Sequence, residues 1–257
     1  MKIFGFIPAR MASSRFPGKP LFPICGMPMA EHVIHRARMY KNWDGLFLTT
    51  CDKEIRTFGE SIDFPTIMTS SIHTRALDRV AEAATKCGMI IDDDDIVINV
   101  QADEPMMHPA MIEATIKPML EEPSVLGTIL AMHITEEEQF LDPNILKIIH
   151  KKNGDILYTS RSPVPYCKKF SPELGAKRIY GIFGFRWHFL KTFTSMEESP
   201  LEIVESCDSN RLYDNGFTQR IAPYPYIKSF AVDVPEDIKK VEKHIKTDPF
   251  YHIYSHE

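Results

Sequence analysis

The fold is decided close to the N-terminus, where residues 3–20 read IFGFIPARMASSRFPGKP. An apolar run followed at once by turn residues is typical of a strand buried on both faces of a parallel sheet. The turn segment combines small residues with Arg10, Arg15 and Lys19. Because ligands of open α/β sheets bind beyond the carboxyl ends of the strands, this segment indicates a polyphosphate site. A solvated basic turn is the alternative.

Further along the chain, apolar runs alternate with segments of helical spacing. The pattern predicts strands at residues 45–50, 65–68 and 95–100, and helices at residues 28–40, 54–61 and 78–87. Such alternation is typical of a Rossmann-like α/β fold, with a mostly parallel sheet and helices on both faces. Residues 126–185 are richer in strand signals, which predicts a smaller mixed-sheet insert within one domain over residues 1–257. A helix at 202–212, a last strand at 230–233 and a terminal helix at 235–246 complete the prediction.

Composition excludes several classes of protein. The 257 residues carry a net charge of −5, so no global basic field is present to attract nucleic acid. No apolar run approaches the ~18 residues of a membrane span, and the N-terminus does not resemble a signal peptide, so we expect a cytoplasmic protein without a membrane partner. Five cysteines without a CxxC pair predict reduced thiols. We expect His32 and His35 on a solvated helix face, without the further ligands of a zinc site.

Two aspartates follow apolar strands. Asp103 lies in VQADEP after the strand at 95–100, and Asp233 lies in AVDVPED after the strand at 230–233. Carboxylates at strand ends can hold Mg²⁺ against a nucleotide, although each could equally cap a helix or a turn. No GxGxxG motif follows the first strand, which argues against a dinucleotide-dependent oxidoreductase.

In this order the motifs resemble those of the 3-deoxy-manno-octulosonate (KDO) cytidylyltransferase family, also called CMP-KDO synthetases, over nearly the whole chain. The matching segments are PARMASSRFPGKPL at 8–21, NVQADEP at 99–105, LYTSRSPVP at 157–165, GIFGFR at 181–186, SPLEIVE at 199–205 with Arg211 after it, and VDVPED at 232–237. The resemblance implies a nucleotidyltransferase that transfers CMP from CTP to the anomeric hydroxyl of a 2-keto-3-deoxy acid sugar and releases pyrophosphate. The acceptor would be KDO or a close relative such as an amino-KDO. It also implies a homodimer built through the insert, and lipopolysaccharide or capsule synthesis if the acceptor is KDO-like.

The resemblance further implies a role for individual residues. The implied catalytic residues are Arg10, Arg15, Lys19 and Asp103. The implied nucleotide-binding residues are Pro8, Ala9, Arg10, Lys19, His73, Arg75, Asp78, Arg79 and Gln101. The implied acceptor-binding residues are Gln101, Arg161, Tyr180, Glu202, Glu205 and Arg211. The implied cofactor is Mg²⁺ on Asp103 and Asp233, and a role of Asp103 in deprotonating the sugar hydroxyl stays open.

The chain departs from the family pattern at positions that bear on the acceptor. The family's His-x-Ser-Gly-Thr-[DE]-Arg is HTRALDR at 73–79, its His before Gly181 is Ile179, its Glu-Gln-Leu-Arg is DSNR at 208–211, and one of its glycines is Ala102. These changes support a second hypothesis, the same reaction on a different acceptor such as a nonulosonate or a phosphonate. The alternative is drift with KDO retained. A third hypothesis is a catalytically silent binding homologue, against which the retained cations and aspartates argue.

Overall fold

The computed structural model describes residues 1–13 and 15–255, and the chain has the predicted mixed α/β fold. It divides into two compact units, Met1–Ile112 together with the segment from Lys228 onward, and Glu113–Ile227. The predicted insert, residues 126–185, lies within the second unit. We predicted one domain over the whole chain and a role of the insert in dimerisation. Both of these stay predictions. Among the described residues, no helix combines the length and the apolar character needed to cross a membrane.

The helices and strands are numbered in chain order. The strands are β1 (Ile3–Pro8), β2 (Pro23–Ile24), β3 (Met27–Pro28), β4 (Gly45–Thr50), β5 (Thr66–Met68), β6 (Ile96–Val100), β7 (Gly127–His133), β8 (Lys147–His150), β9 (Ile156–Ser160), β10 (Lys177–Arg186) and β11 (Arg220–Tyr224). The helices are α1 (Met29–Arg38), α2 (Lys53–Ser61), α3 (Ala76–Lys86), α4 (Ala110–Glu121), α5 (Glu137–Leu141), α6 (Trp187–Ser195), α7 (Pro200–Glu205), α8 (Asn210–Asp214), α9 (Asp237–Ile245) and α10 (Tyr251–Tyr254).

Parallel strands in the order β6-β1-β4-β5 form the centre of the first unit. β1 and β4 have the predicted bounds. Phe4, Phe6 and Ile7 of β1 are fully buried, and the ring of Phe6 stacks on that of Phe47 with centroids 5.4 Å apart. Helices α2 and α3 pack against these strands. Because the strands are parallel, the segments that follow β1, β4 and β6 all start at one edge of the sheet.

The C-terminal segment completes the first unit, but the predicted strand at 230–233 is wrong. Val232 is buried and its N–H donates to the Asp103 carbonyl oxygen at 2.9 Å, but the segment joins no strand ladder. The N–H groups of Asp233 and Val234 instead donate to Oδ2 of Asp237, at 2.9 and 3.0 Å. These bonds turn the chain into α9, so the apolar run signals burial and not strand pairing.

His32 of α1 is buried, so the prediction of a solvated position is wrong for this residue. Its Nε2 donates to the Ile24 carbonyl oxygen at 2.9 Å, and its Nδ1 accepts from the Tyr254 hydroxyl at 3.0 Å. The same hydroxyl accepts from Nε of Arg36 at 3.1 Å. Burial lowers the pKa of His32 to about 4. This network attaches α10 to α1 through a neutral imidazole.

A mixed sheet forms the second unit. β7 pairs in parallel with β11 and antiparallel with β10, and β8 pairs antiparallel with both β9 and β10. The predicted helix at 202–212 is two helices. A capping box between Ser199 and Glu202 starts α7, and Ser206, in the left-handed region with φ 48°, ends it before α8 begins.

Lys147 of β8 is fully buried in the second unit. Its Nζ donates to the backbone carbonyl oxygens of Asp142, Ile145 and Arg161, each at 2.7 Å. An ammonium group has three N–H donors, so each donor has an acceptor. Burial lowers the pKa of Lys147 to about 8. The side chain thereby joins the segment before β8 to the segment after β9.

We expect the first unit to lose stability as the pH falls from about 6.5 towards 4. The pKa of His32 is about 4 in the folded chain against 6.5 for an unperturbed histidine, so the unfolded state binds more protons in this window. The full shift corresponds to about 3 kcal/mol. Urea unfolding at pH 7 and at pH 4.5 measures the loss, which should shrink in His32→Gln and persist in His252→Gln. An equal loss in both variants would contradict the expectation.

We expect Lys147→Met to lower the free energy of unfolding by about 2–4 kcal/mol, because buried carbonyl groups lose their donor. Urea unfolding at pH 7 measures it. Lys151→Met removes an exposed lysine close in the sequence and should change the free energy by no more than about 0.5 kcal/mol. Similar losses in the two variants would show that the carbonyl contacts are not what stabilises the unit.

Candidate active site

The loop after β1 is fixed at both ends by hydrogen bonds to its neighbours. The Ala9 N–H donates to the Thr49 carbonyl oxygen at 2.9 Å, and the Met11 N–H donates to Oδ2 of Asp52 at 2.7 Å. The Gly18 N–H returns to the Met11 carbonyl oxygen at 2.9 Å, with φ 77°, a conformation that glycine adopts without strain. These bonds hold the described parts of the loop on either side of Arg10 and just before Lys19.

Two cations of this loop pair with two carboxylates. Nζ of Lys19 lies 2.6 Å from Oδ2 of Asp103, and the Arg15 guanidinium lies 2.7 Å from Oδ1 of Asp233. The Lys19 and Asp103 side chains are 15% and 24% exposed, against 47% and 36% for Arg15 and Asp233, so the first pair is better shielded from water. The structure thus brings together four predicted site residues, of which Arg15 and Asp233 are 218 positions apart.

The two carboxylates have the chemistry to hold a magnesium ion. Burial raises the pKa of Asp233, and the charge of Asp103 raises it further, so the two groups lie within each other's field. Mg²⁺ is commonly held by one or two carboxylates together with substrate phosphates. Across residues 1–13 and 15–255, no group of three or more His, Cys, Asp or Glu side chains could hold a metal ion. Asp103 and Asp233 would therefore need phosphate oxygens as further ligands.

The other candidates at this edge differ in exposure. Pro8 ends β1 and Ala9 is buried directly after it, whereas Gln101 is partly exposed at the end of β6. Arg10 is exposed, and its guanidinium has no ion-pair partner in the part of the chain that the structure describes. Its positive charge is therefore available to an anion from solution.

The segment at residues 73–79 is tied to α3 through Glu82. The Glu82 carboxylate accepts from the Ser70 N–H at 2.9 Å, from Nε2 of His73 and from Nζ of Lys86. Burial opposes ionisation of Glu82, but these donors lower its pKa to about 2. His73 is thus oriented by a carboxylate that stays ionised.

Arg79 is buried beneath the same segment. Its guanidinium donates to the His73 carbonyl oxygen at 3.2 Å and to the Thr69 hydroxyl. Arg75 is the N-cap residue of α3 and Asp78 lies in its first turn, both partly exposed. Arg79 therefore holds the segment in place from its buried side. If Arg79 contributes to nucleotide binding, it does so indirectly, through this segment.

In the second unit, Glu205 and Arg161 form a connected pair of candidates. The Glu205 carboxylate accepts from the Ser160 hydroxyl at 2.8 Å, from the Arg161 N–H at 2.7 Å and from the Tyr158 hydroxyl. Burial opposes ionisation, but these donors lower the pKa of Glu205. The Arg161 side chain donates to the carbonyl oxygens of Glu205 at 2.7 Å and Pro143 at 2.9 Å.

Glu202 and Arg211 form a buried ion pair with two hydrogen bonds, of 2.7 and 2.8 Å. The Arg211 guanidinium also lies over the Phe193 ring, 4.5 Å from its centroid. Tyr180 is buried as well. A bidentate pair of this kind satisfies both charges internally, so Glu202 and Arg211 brace the unit and do not present a charge to a ligand.

One of the departures from the family pattern has a packing reason. Oδ1 of Asn210 accepts from the N–H and hydroxyl of Thr159 at 3.2 and 2.8 Å, and its Nδ2 donates to the Thr159 carbonyl oxygen at 3.1 Å. Asn210 therefore joins α8 to β9. Ile179 is partly exposed on β10.

Sequence reasoning missed three residues that hold candidate residues in place. Asp52 holds the loop after β1, Glu82 orients His73, and Lys147 binds the Arg161 carbonyl oxygen. Asp52 carries the same signal as Asp103, an aspartate within three residues of the end of an apolar strand. Glu82 and Lys147 have no such signal, because their partners are set by the fold.

The chain is similar in sequence to known proteins over nearly its whole length. Residues 4–252 match the family model described as cytidylyltransferase. A 3-deoxy-manno-octulosonate cytidylyltransferase from Thermodesulfovibrio yellowstonii is 40% identical over 249 residues, which cover 94% of this chain and 97% of that protein. One from Oleidesulfovibrio alaskensis is 38% identical over 235 residues, which cover 91% of this chain and 93% of that protein.

Solved structures of cytidylyltransferases have the same fold as this chain. The structure of a CMP:2-keto-3-deoxy-manno-octonic acid synthetase complexed with CTP matches with a TM-score of 0.86 and 30% identity, over 96% of this chain and 99% of that one. A 4-diphosphocytidyl-2C-methyl-D-erythritol synthase matches with a TM-score of 0.62 at 13% identity, over 95% of this chain and 99% of that one, a likeness of fold alone.

We expect Glu82→Gln to speed amide hydrogen exchange in residues 69–75 by about tenfold. The variant loses charge-assisted hydrogen bonds, each of which contributes about 1.5–3 kcal/mol. Exchange read by mass spectrometry on peptides of this segment measures the effect. Glu60→Gln removes an exposed acid on α2 and should leave the segment unchanged. Unchanged exchange in Glu82→Gln would mean that Arg79 alone holds the segment.

Proposed function

This chain belongs to the cytidylyltransferase family, and we propose that it transfers CMP from CTP to the anomeric hydroxyl of KDO and releases pyrophosphate. The observation that carries the proposal is the position of Lys19 and Arg15 beside Asp103 and Asp233, with Arg10 exposed on the same loop. With KDO as the acceptor, the product serves lipopolysaccharide synthesis.

The reaction determines what the site has to supply. The anomeric oxygen of the sugar bonds to the α-phosphorus of CTP, while the bond from that phosphorus to the oxygen bridging to the β-phosphate breaks. The electron pair leaves with pyrophosphate, and the hydroxyl proton passes to a base or to water. Such a displacement needs positioning and charge stabilisation more than a protein nucleophile.

The basic loop supplies the positive charge. Lys19 is the most shielded of its cations, so its charge acts through a lower effective dielectric on a phosphate oxygen. The guanidinium groups of Arg10 and Arg15 can each hold two phosphate oxygens in one plane. Together they would bind the triphosphate and stabilise the charge that develops on pyrophosphate.

Magnesium is part of this proposal as the cofactor. Asp103 and Asp233 would hold it, with phosphate oxygens completing the ligand set. When bound, the ion supplies charge neutralisation at the phosphates.

The acceptor residues divide by their exposure. Gln101 of the first unit is partly exposed, and we assign a direct acceptor contact to it. Arg161 of the second unit is partly exposed as well, but its side chain donates to the carbonyl oxygens of Glu205 and Pro143. Tyr180, Glu202, Glu205 and Arg211 are buried, and we assign them to supporting roles.

A homodimer and a cytoplasmic location complete the proposal. The exposed apolar side chains of the second unit include Leu157 of β9 and Ile203 and Val204 of α7. A second copy of the chain would remove such side chains from water.

We expect pyrophosphate release with CTP, Mg²⁺ and KDO, measured against 8-amino-KDO, a nonulosonate and small phosphonates. Lys19→Met should lower kcat by about 10²–10³-fold, the size of loss seen when a group that stabilises transition-state charge is removed. Lys239→Met removes an exposed lysine of α9 and should leave the rate unchanged.

Two other outcomes would overturn part of the proposal. Turnover of a nonulosonate or a phosphonate in place of KDO would overturn the acceptor and make Arg75 and Ile179 the next residues to substitute. Binding of CTP without turnover of any acceptor would overturn the activity.

A further inference from the structure

The cations assigned to the triphosphate and the carboxylates assigned to the metal are bonded to one another. Lys19 donates to Asp103 at 2.6 Å, and Arg15 donates to Asp233 at 2.7 Å. The Lys19 ammonium also donates to the Val232 carbonyl oxygen at 2.9 Å, which holds it beside Asp103. Each of these four side chains thus has a partner of opposite charge within hydrogen-bond distance.

This pairing opposes metal binding. A divalent cation on either oxygen of Asp103 would lie beside the Lys19 ammonium, and like charges at that range repel strongly where water is partly excluded. The same holds for Asp233 and Arg15, although the greater exposure of that pair weakens the repulsion. The two carboxylates also provide too few ligands for Mg²⁺ without phosphate oxygens.

We propose that Lys19 and Arg15 exchange partners when the nucleotide binds. They leave the carboxylates of Asp103 and Asp233 for the phosphate oxygens, and the carboxylates become available to the divalent cation. The nucleotide thereby opens the metal site. This inference rests on the proposed function, since it takes a nucleoside triphosphate as the incoming anion.

Arg10 is the group that can start the exchange. It lies on the same loop, is exposed, and has no ion-pair partner within the described residues. A phosphate can therefore bind Arg10 without first breaking an ion pair. Lys19 and Arg15 follow when a phosphate oxygen comes within reach.

Removal of a cation from the loop should strengthen binding of a divalent cation, but only where that cation is paired with a metal-binding carboxylate. Lys19→Met should bind Mn²⁺ about tenfold more tightly without nucleotide, and Arg15→Met about threefold, because the second pair is more exposed. Arg10→Met removes the same charge from the same loop and should change the affinity by less than about twofold.

The first experiment is a titration of the full chain with Mn²⁺, with free Mn²⁺ measured by electron paramagnetic resonance and no nucleotide present. The wild type is compared with Lys19→Met, Arg15→Met and Arg10→Met, after circular dichroism shows that each is folded. Lys19→Gln is the second variant at that position, should Lys19→Met fail to fold.

The reciprocal experiment measures CTP binding by calorimetry in EDTA, so that no metal takes part. Asp103→Asn and Asp233→Asn should bind CTP about three- to tenfold more tightly, because Lys19 and Arg15 no longer have to leave a carboxylate. Glu236→Gln removes an exposed acid three positions from Asp233 and controls for the general field.

Two results would overturn the exchange: unchanged Mn²⁺ affinity in Lys19→Met, or an equal gain in Lys19→Met and Arg10→Met. The second would show a diffuse field in place of specific pairs. Failure of the proposed function has a different signature, since no acceptor would then be turned over, whatever the Mn²⁺ affinities of the variants. The Mn²⁺ titrations contain no nucleotide and test the ion pairs in either case.

Discussion

Two carboxylates that are near each other and partly shielded from water are stabilised by positive charge beside them, and the first unit brings both kinds of charge to one place. β1 and β6 are neighbours in the parallel sheet, so the basic loop after one strand and Asp103 after the other begin at the same edge. The hydrogen bond from Val232 to Asp103 brings the C-terminal segment, with Asp233, to the same place. The two cations and the two carboxylates are thus held in one neutral group.

The sequence predicted the central strands because a parallel strand buried on both faces is a continuous apolar run. β1 and β4 have the predicted bounds for this reason. The same signal gave a wrong strand prediction at residues 230–233. An apolar run indicates that a segment is buried, but it does not indicate that the segment pairs with a neighbouring strand. The predicted helix at 202–212 failed at Ser206, whose left-handed backbone carries no local signature. His32 was misplaced because helical spacing does not show that Tyr254, 222 positions away, covers it.

The candidate site was predictable where function depends on local residue types. Arg15, Lys19, Asp103 and Asp233 were found from their places after apolar runs, and the fold brings them together. The sequence does not show whether a charged side chain faces a ligand or forms an ion pair inside the protein. The difference depends on partners elsewhere in the chain. Glu202 and Arg211 belong to a motif but satisfy each other inside the second unit. Asp52 has the same place after an apolar strand and was overlooked, whereas Glu82 and Lys147 bind partners that only the fold brings to them.

The first unit is made from both ends of the chain, which has a consequence for translation. A ribosome that stops anywhere in the second unit has produced the basic loop, the parallel strands and Asp103, but not Asp233, α9 or α10. Such a product leaves Ile24 and Met29 without the residues of α9 that share their apolar cluster. It also lacks Tyr254, so His32 and Arg36 have lost a shared partner. Incomplete chains therefore expose apolar surface of the kind that chaperones and proteases recognise.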